Sequence, residues 1–288
     1  RVLFRSAPDN AEIGDDYADK LGVIHYDEEQ HTPNIQKHGF MSGGEVENPP
    51  NCYFVKYDVD SLRRYKDCFV EAEPVYVTLK LHGCNARFVF NDDKMYCGSR
   101  GEWKREFATK PNYETIRTNL LSKLSNKISE EEINQKLFEI KNKLEKWNPP
   151  QNLWWRVYRE TESIRRFCAE NPDVVLYGEI VGVQGGFNYG LKPGQVKFYA
   201  FDIMKNGKFL DVVDFVKTCH FYNIDRVPVL EYKYPFNFDE ICKMANGKDL
   251  LGEHVREGVV VKPMTERTSA KIGRVCLKVV GSDYLELK

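Results

Sequence analysis

The chain has 288 residues, of which 42% are hydrophobic and 30% are charged, and its formal net charge is −1. This length predicts one large domain, or a main domain with a smaller piece, and the charge excludes nucleic-acid binding through overall charge alone; any such binding needs a local basic patch. The eight cysteines form no CxxC pair, which favours reduced, buried thiols in an intracellular protein over disulfides or zinc. No stretch is apolar enough to span a membrane, so we expect no membrane partner.

Residues 1–50 are predicted to be an irregular lead-in. They are rich in Gly, Pro, Asn and acidic residues and begin with Arg rather than Met, so we interpret them as a lead-in or as the remnant of another module. Residues 51–288 form the predicted main domain. Near its start, "DVDSLRRYKDCF" predicts a helix capped by Asp60 or Ser61.

The stretch "VYVTLKLHGCNARFVF" at residues 75–90 has the alternation of a strand with one buried face. Its apolar residues occupy every second position, and Lys80 and His82 fall on the other face. "GCN" then interrupts the pattern before a second apolar run. The alternation therefore predicts an ammonium and an imidazole side by side, directly before a tight turn.

Residues 113–147 change to apolar positions at helical spacing, and Ser129 with Glu132 matches a capping box. We therefore expect two helices here, as an amphipathic insertion that packs on the main body. "NLWWRVYRETESIRRFCAE" predicts one further helix, and the rest is mostly strands. The predicted fold class is α+β, with antiparallel sheets flanked by helices.

The later predicted strands contain ionisable residues within apolar runs. Glu179 lies in "VVLYGEIVG" and Asp202 in "KFYAFDIM", while Glu257 and Lys262 bracket "EGVVVKP" and Lys278 lies in "VCLKVV". A lone buried charge is costly by several kcal/mol. We therefore expect these residues and the lysine before the predicted turn to converge on one cavity, which indicates a functional site.

The order "KLHG", "YGEIVG", "FYAFDI", "EGVVVK", "LKVV" resembles the motif series of the covalent nucleotidyltransferases, which comprise DNA ligases, RNA ligases and capping enzymes. The K-x-[D/H/N]-G element is the segment 80–83. His82, with Asn85 after the glycine, is similar to RNA ligases, whereas the other two classes normally have aspartate there. The resemblance covers residues 51–288 and points to the branch in which an OB-type module precedes the nucleotidyltransferase (ATP-grasp-like ligase) domain. Residues 1–50 are too few for a whole OB barrel.

The resemblance implies ATP-dependent joining of RNA ends. Lys80 would attack the α-phosphate of ATP, AMP would pass from the lysine to an RNA 5′-phosphate, and a 3′-hydroxyl would displace it. The implied cofactors are ATP and Mg²⁺ or Mn²⁺, and the implied partners are RNA ends, in particular nicked duplex RNA. Because a protonated lysine is a poor nucleophile, we expect nearby cations, Mg²⁺ and Lys278 among them, to disfavour the ammonium form.

The matching positions also imply the roles of individual residues. The catalytic residues would be Lys80, Lys278 and Glu257, and the metal would be bound by Glu179 and Glu257, partly through water. Asp202 is expected to be a structural acid, or one that acts behind the direct contacts of the site.

The resemblance implies a larger set of nucleotide-binding residues, namely Lys80, His82, Asn85, Arg100, Glu179, Phe201, Lys262 and Lys278. Phe201 would stack on adenine. Arg100 and Lys262 would approach phosphate, whereas His82 and Asn85 would shape the floor of the site.

Two positions depart from the family pattern. Many relatives have an acid where this chain has Leu79, and many have a second lysine where it has Val280. Two other patterns fail as sites. "GGFNYGLK" lacks the lysine of a P-loop, and the Cys219-His220 pair has no second metal pair near it.

Three alternatives remain open on the sequence alone. A DNA ligase and a GTP-using capping enzyme share the superfamily, although the histidine of "KLHG" argues against both. A catalytically silent module that binds RNA ends is the third, and the retained lysines and glutamates argue against it.

Overall fold

The computed structural model describes residues 45–124, 128–148 and 152–287. The prediction for residues 1–50 therefore falls almost entirely outside the described residues and stays a prediction. The strands in the described part are β1 (Val46–Glu47), β2 (Asp60–Ser61), β3 (Pro74–Leu79), β4 (Cys84–Asn91), β5 (Lys94–Gly98), β6 (Trp103–Lys104), β7 (Val175–Val181), β8 (Lys197–Lys205), β9 (Lys208–Phe209), β10 (Val229–Pro235), β11 (Gly258–Pro263), β12 (Thr268–Ser269), β13 (Gly273–Arg274) and β14 (Leu277–Val280).

Two sheets organise this part of the chain. The larger has seven described strands in the order β1-β6-β5-β4-β7-β8-β9, and the smaller has five in the order β10-β3-β11-β14-β2. Neighbouring strands are antiparallel except β14 and β2, which are parallel. β12 and β13 form a separate antiparallel pair. The predicted antiparallel sheets flanked by helices are confirmed.

The helices of the described residues are α1 (Tyr113–Leu124), α2 (Glu130–Glu145), α3 (Leu153–Glu160), α4 (Glu162–Glu170), α5 (Val212–Tyr222), α6 (Phe238–Met244) and α7 (Ser282–Leu285). The predicted capping box is present, because the Ser129 side chain accepts a hydrogen bond from the Glu132 N–H and the Glu132 side chain accepts one from the Ser129 N–H. None of the described helices is long and apolar enough to cross a membrane.

Two local predictions are wrong. The single helix expected after residue 151 is two helices, α3 and α4, because Thr161 between them has an extended backbone with φ −111° and ψ 101°. The helix expected to be capped by Asp60 or Ser61 does not form. These two residues instead pair with β14, and only a short 3₁₀ helix, Lys66–Cys68, follows. Tertiary pairing overrides the local helix signal here.

The strand β3 differs from its prediction in burial. The alternation predicted one buried face, but Tyr76 and Thr78 on the supposedly open face are only 1% and 5% exposed. That face is covered in part by the start of α5, where Val212 packs against Tyr76, and in part by the contact between Lys262 and Asp202 of the larger sheet, which is described below.

The main cores lie on the outer faces of the two sheets. Helices α3, α4 and α5 pack on the larger sheet through residues such as Ile164, Phe167 and Phe215. Helix α6 packs on the smaller sheet, where Ile241 meets Val259. Each of these side chains stabilises the fold by about 1.5–3 kcal/mol. The inner face of the larger sheet carries a further apolar cluster, which includes Val89, Tyr177 and Met204, beside the polar groups of the site.

Candidate active site

The strand register of the smaller sheet brings two lysines onto one face. Val260 of β11 lies opposite Thr78 on one side and Lys278 on the other. One step further, the Lys80 N–H donates to the Gly258 carbonyl oxygen at 2.9 Å. Residues directly opposite in a sheet point to the same face, as do residues two apart in a strand. Lys80 and Lys278 therefore share the inner face, about 12 Å apart, because they are separated by two strand spacings and by two residues along the strand.

Lys80 is held by an acid from the neighbouring strand. Its Nζ lies 2.5 Å from Oε1 of Glu257, which directly precedes β11. The other oxygen of Glu257, Oε2, lies 3.6 Å from Nδ1 of His82. One carboxylate thus contacts both polar residues of "KLHG". The predicted convergence of Lys80, His82 and Glu257 is confirmed.

Glu179 enters the site from the larger sheet. In β7 it lies opposite Asn85 of β4, and its Oε1 accepts a hydrogen bond from the Gly83 N–H at 3.0 Å. Burial raises the pKa of Glu179 to about 8; Lys80 opposes this rise, whereas the negative charge of Glu257 adds to it. The turn after Lys80 therefore closes directly on a buried acid that holds its proton near neutral pH.

Gly83 allows this close approach. A Cβ atom at this position would lie 2.2 Å from the carbonyl oxygen of Ile180, well inside the van der Waals contact distance. Only glycine lets the turn lie against β7 and lets its N–H reach Glu179. The glycine of "KLHG" is thus required by packing.

Glu257 is suited to bind a cation. Burial alone would raise the pKa of Glu257, but Lys80 and His82 outweigh burial and hold it below its ordinary value, so the group is ionised. Its Oε2 is buried and has no hydrogen-bond partner within the described ranges. A buried, ionised oxygen without a donor fits a divalent metal, with Glu179 as the second acid. The described residues contain no cluster of three or more metal-binding side chains, so these two acids would share the metal with other oxygen ligands.

A β-bulge presents Phe201 and Asp202 to the inner face together. Tyr177 pairs with Asp202 and Gly178 pairs with Ala200, which leaves Phe201 as the extra residue. Phe201 is half-buried and packs against Tyr57 with ring centroids 4.5 Å apart. The bulge therefore keeps an aromatic ring available on the inner face.

Lys262 pairs with Asp202, at a distance from the group around Lys80. Its Nζ lies 2.5 Å from Oδ1 of Asp202 and 3.3 Å from the Phe201 carbonyl oxygen, and Arg274 contacts the other oxygen of Asp202 at 2.9 Å. Burial opposes the charged form, but Arg274 and Lys262 hold the pKa of Asp202 below its usual value. Lys262 lies opposite Tyr76, which is four residues before Lys80. Lys262 is therefore about 13 Å from Lys80 along the strand direction.

The predicted convergence of all six charges on one cavity is therefore wrong in part. Lys80, Glu179 and Glu257 form one group, and Asp202 with Lys262 forms a second, buried group that joins the two sheets. The predicted structural role of Asp202 fits this arrangement. Lys262 is only 4% exposed and contacts the bulge at Phe201; its predicted contact with phosphate stays a prediction.

Arg100 lies at the margin of the site. Its guanidinium group contacts Oδ1 of Asp58 at 2.9 Å, and a third of the side chain is exposed. The positive charge of Arg100 also lowers the pKa of Glu179, so the two residues interact electrostatically. Its predicted contact with phosphate stays a prediction.

A model of the RNA ligase family matches residues 73–280. This chain belongs to the RNA ligase family. The matched segment includes every site residue described above except Tyr57 and Asp58. The predicted family is thus confirmed. A search of curated proteins finds no match to this RNA ligase.

Solved structures with the same fold include several of the Naegleria gruberi RNA ligase. A lysine-to-alanine variant with ATP and Mn aligns with a TM-score of 0.65 at 20% identity, covering 97% of this chain and 69% of that chain. The complex with PPi gives 0.64 at 20% identity, covering 97% and 68%. A lysine-to-methionine variant with AMP and Mn gives 0.64 at 20% identity, covering 97% and 69%. These matches confirm the predicted fold class.

The surroundings of Lys80 differ from the expectation that cations would make it nucleophilic. The direct neighbour of its ammonium is the carboxylate of Glu257, and a carboxylate stabilises the charged form. In this RNA ligase an acid is therefore a direct neighbour of the Lys80 ammonium, and the predicted role of Lys80 as the nucleophile stays a prediction.

Sequence reasoning missed three residues of the site. Tyr189 accepts a hydrogen bond from the His82 N–H at 2.6 Å, and Tyr284 lies 3.2 Å from His82 Nδ1. Arg274 completes the charge group around Asp202. Tyr189 lies in "GGFNYGLK", which fails as a P-loop and gives no other local signal, and no local pattern distinguishes Tyr284. For Arg274 a signal existed, because a charge directly before the buried run "VCLKVV" needs a partner.

Proposed function

We propose that this RNA ligase uses ATP to join an RNA 3′-hydroxyl to a 5′-phosphate through a covalent adenylate on Lys80. The observation that supports it most strongly is the convergence of Lys80, Glu257 and Glu179 between the two sheets. Glu257 lies 2.5 Å from the Lys80 ammonium, and Glu179 lies 3.0 Å from the Gly83 nitrogen in the turn after Lys80. The family supports the RNA substrate, and the Naegleria gruberi enzyme has been solved with ATP and Mn.

The reaction has three balanced steps. The uncharged Lys80 amine attacks the α-phosphorus of ATP, an N–P bond forms and pyrophosphate leaves. An oxygen of the RNA 5′-phosphate then attacks that phosphorus, and Lys80 leaves. Finally the RNA 3′-hydroxyl attacks the 5′-phosphate and releases AMP. In each step Lys278, on the same face as Lys80, is placed to stabilise charge that develops on phosphate.

Glu179 and Glu257 would hold the divalent metal, which supplies positive charge that stabilises the phosphate oxygens. Glu257 pairs with the ammonium of Lys80. If Glu257 bound the metal instead, it would no longer stabilise the ammonium, and the amine could lose its proton. Glu179 must also give up its proton to act as an anionic ligand. The chain thus links metal binding to activation of its nucleophile through one acid.

Phe201 is placed to stack on adenine, since the bulge leaves it half-buried on the inner face beside Tyr57. We propose nicked duplex RNA as the preferred substrate, because a strand break in a duplex presents both ends side by side. We also propose an intracellular location, which the eight free cysteines support.

The test is transfer of label from α-labelled ATP to the denatured protein in the presence of Mg²⁺. The expected result is a stable adduct with the mass of AMP on Lys80, absent in Lys80→Ala. An adduct on another side chain, or none, would overturn the proposal. Labelled GTP that competes equally with ATP would instead favour a capping enzyme, and equal sealing of nicked DNA and nicked RNA would favour a DNA ligase.

A further inference from the structure

Two tyrosine hydroxyl groups hold His82, one at its backbone and one at its ring. Tyr189 Oη accepts the hydrogen bond of the His82 N–H at 2.6 Å, and Tyr284 Oη lies 3.2 Å from Nδ1. Both tyrosines are buried. Phe187 packs on the ring edge-on, with centroids 4.8 Å apart. The imidazole of His82 therefore has little freedom to rotate.

The charges nearby decide which ring nitrogen bears the hydrogen. The ionised Oε2 of Glu257 lies 3.6 Å from Nδ1 of His82. A lone pair on Nδ1 would repel this oxygen, whereas an N–H at Nδ1 attracts it and donates to Tyr284 Oη as well. The arrangement therefore favours Nδ1–H, directed between the tyrosine oxygen and the carboxylate.

We propose that Tyr284 is a positioning residue for adenylation, a role that rests on the function proposed above. Its oxygen fixes the ring of His82, and the ring attracts Oε2 of Glu257, so the carboxylate keeps its orientation in the site when Oε1 leaves Lys80. Tyr284 itself acts through His82 and is assigned no contact with ATP. Loss of its hydroxyl leaves the His82 ring free to turn and Glu257 poorly oriented.

Helix α7, which carries Tyr284, is attached to the site independently of that hydroxyl. The Gly281 N–H donates to the Glu257 carbonyl oxygen at 3.0 Å, and the Asp283 N–H donates to Asn246 Oδ1 at 3.3 Å. Tyr284→Phe keeps the ring and removes one oxygen. The variant is therefore expected to fold, and its helix is expected to stay in place.

The first experiment compares Tyr284→Phe with Tyr222→Phe in single-turnover adenylation at varied ATP. Tyr222 is the matched control, because its hydroxyl also accepts a side-chain hydrogen bond, from Asn171 at 2.8 Å. It lies on the opposite face of the larger sheet. Tyr284→Phe should lower the maximal rate about tenfold, the effect of one positioning hydrogen bond, with no change in the ATP concentration for half-maximal rate. Wild-type rates in Tyr284→Phe would overturn the proposal.

The second experiment asks whether the effect passes through His82. In a His82→Asn background, which keeps the K-x-[D/H/N]-G pattern, Tyr284→Phe should change the rate less than about twofold. A full tenfold loss there would overturn the proposal, since Tyr284 would then act by another route. Absence of the AMP adduct in the wild-type protein would instead overturn the proposed function.

The third measurement needs no activity. Nitrogen-15 NMR of ring-labelled histidine in the full chain, with His82 assigned from the His82→Asn spectrum among six histidines, reports which nitrogen bears the hydrogen. We expect the Nδ1–H signature in the wild-type protein and its loss or broadening in Tyr284→Phe. An Nε2–H signature for wild-type His82, or an unchanged signal in the variant, would overturn the proposal.

Discussion

Glu257 contacts Lys80 with one oxygen and leaves the other without a hydrogen-bond partner among the residues that the structure describes. Oε1 is 2.5 Å from the Lys80 ammonium, and Oε2 is 3.6 Å from His82 Nδ1. The first contact is an ion pair, which stabilises the charged form of a lysine. The second oxygen belongs to a carboxylate whose pKa is lowered by Lys80 and His82. In the proposed reaction this one acid would both restrain the nucleophile and release it.

Glu257→Gln should lower the rate of AMP-adduct formation by about 10²–10³-fold, the usual effect of losing one essential electrostatic contact in an active site. The amide keeps the size of the side chain but has no charge for a metal. The measurement is single-turnover labelling with ATP and Mg²⁺. Glu240→Gln is the control, because the Glu240 side chain is about half exposed and pairs with Lys243 at the surface; its rate should equal that of the wild type. Equal rates in the two variants would exclude a metal role for Glu257.

Glu179 makes stability depend on pH. The folded protein keeps its proton up to a pKa of about 8, whereas the unfolded chain loses it near the ordinary glutamate value. The folded state therefore binds more protons in this interval, and stability must fall as pH rises through it, by up to about 1.4 kcal/mol per pH unit. Glu179→Gln should flatten this slope in urea unfolding, and the exposed-site control Glu160→Gln should retain it. A slope that is identical in Glu179→Gln and wild type would refute the raised pKa.

Protonation of Glu179 should also make the rate of adenylation depend on pH. Because a metal binds the ionised carboxylate, adenylation at low Mg²⁺ should rise with pH up to about 8, and higher Mg²⁺ should move the midpoint to lower pH. The measurement is the pH profile of AMP-adduct formation at two metal concentrations. A midpoint that does not respond to Mg²⁺ would show that proton and metal do not compete at Glu179.

Gly83→Ala should destabilise the fold by about 1–3 kcal/mol or more, since the new Cβ would overlap the Ile180 carbonyl oxygen. It should also lower adenylation, because the N–H that holds Glu179 would move. Gly101→Ala is the matched control, as a Cβ there meets no atom within 4 Å. Chemical unfolding and AMP labelling of the two variants check both effects. Equal stability in the two would contradict the close approach.

Lys262→Met tests which group Lys262 belongs to. Removing one partner of a buried charge group costs about 3–5 kcal/mol, so we expect a large loss of stability. Adenylation should fall only in proportion to the fraction of protein that is unfolded. Lys243→Met, which breaks an exposed pair, should cost less than about 1 kcal/mol. A Lys262→Met protein of wild-type stability with a raised ATP requirement would restore the phosphate contact that the sequence suggested.

The sequence by itself determined the strand that leads to Lys80, the tight turn after it and the acids that approach it, and it predicts Lys80 as the nucleophile. These follow from local rules: the alternation before "GCN", the cost of a lone charge in an apolar strand, and a motif series whose order resembles one family. Such rules act within a few residues, so they identified Lys80, Glu179 and Glu257 without any knowledge of the sheets. The same rules also marked Asp202 and Lys262, which look no different in the sequence.

Only the tertiary structure decided how these charges pair. Lys80 meets Glu257 across 177 residues of chain, and Lys262 meets Asp202 across 60. Which pair forms depends on the register of β3, β11 and β14 and on the bulge in β8, and a local pattern carries no information about either. For the same reason Tyr189 and Tyr284 could not be found, because a buried tyrosine in a loop or short helix becomes part of the site only when distant segments pack against His82.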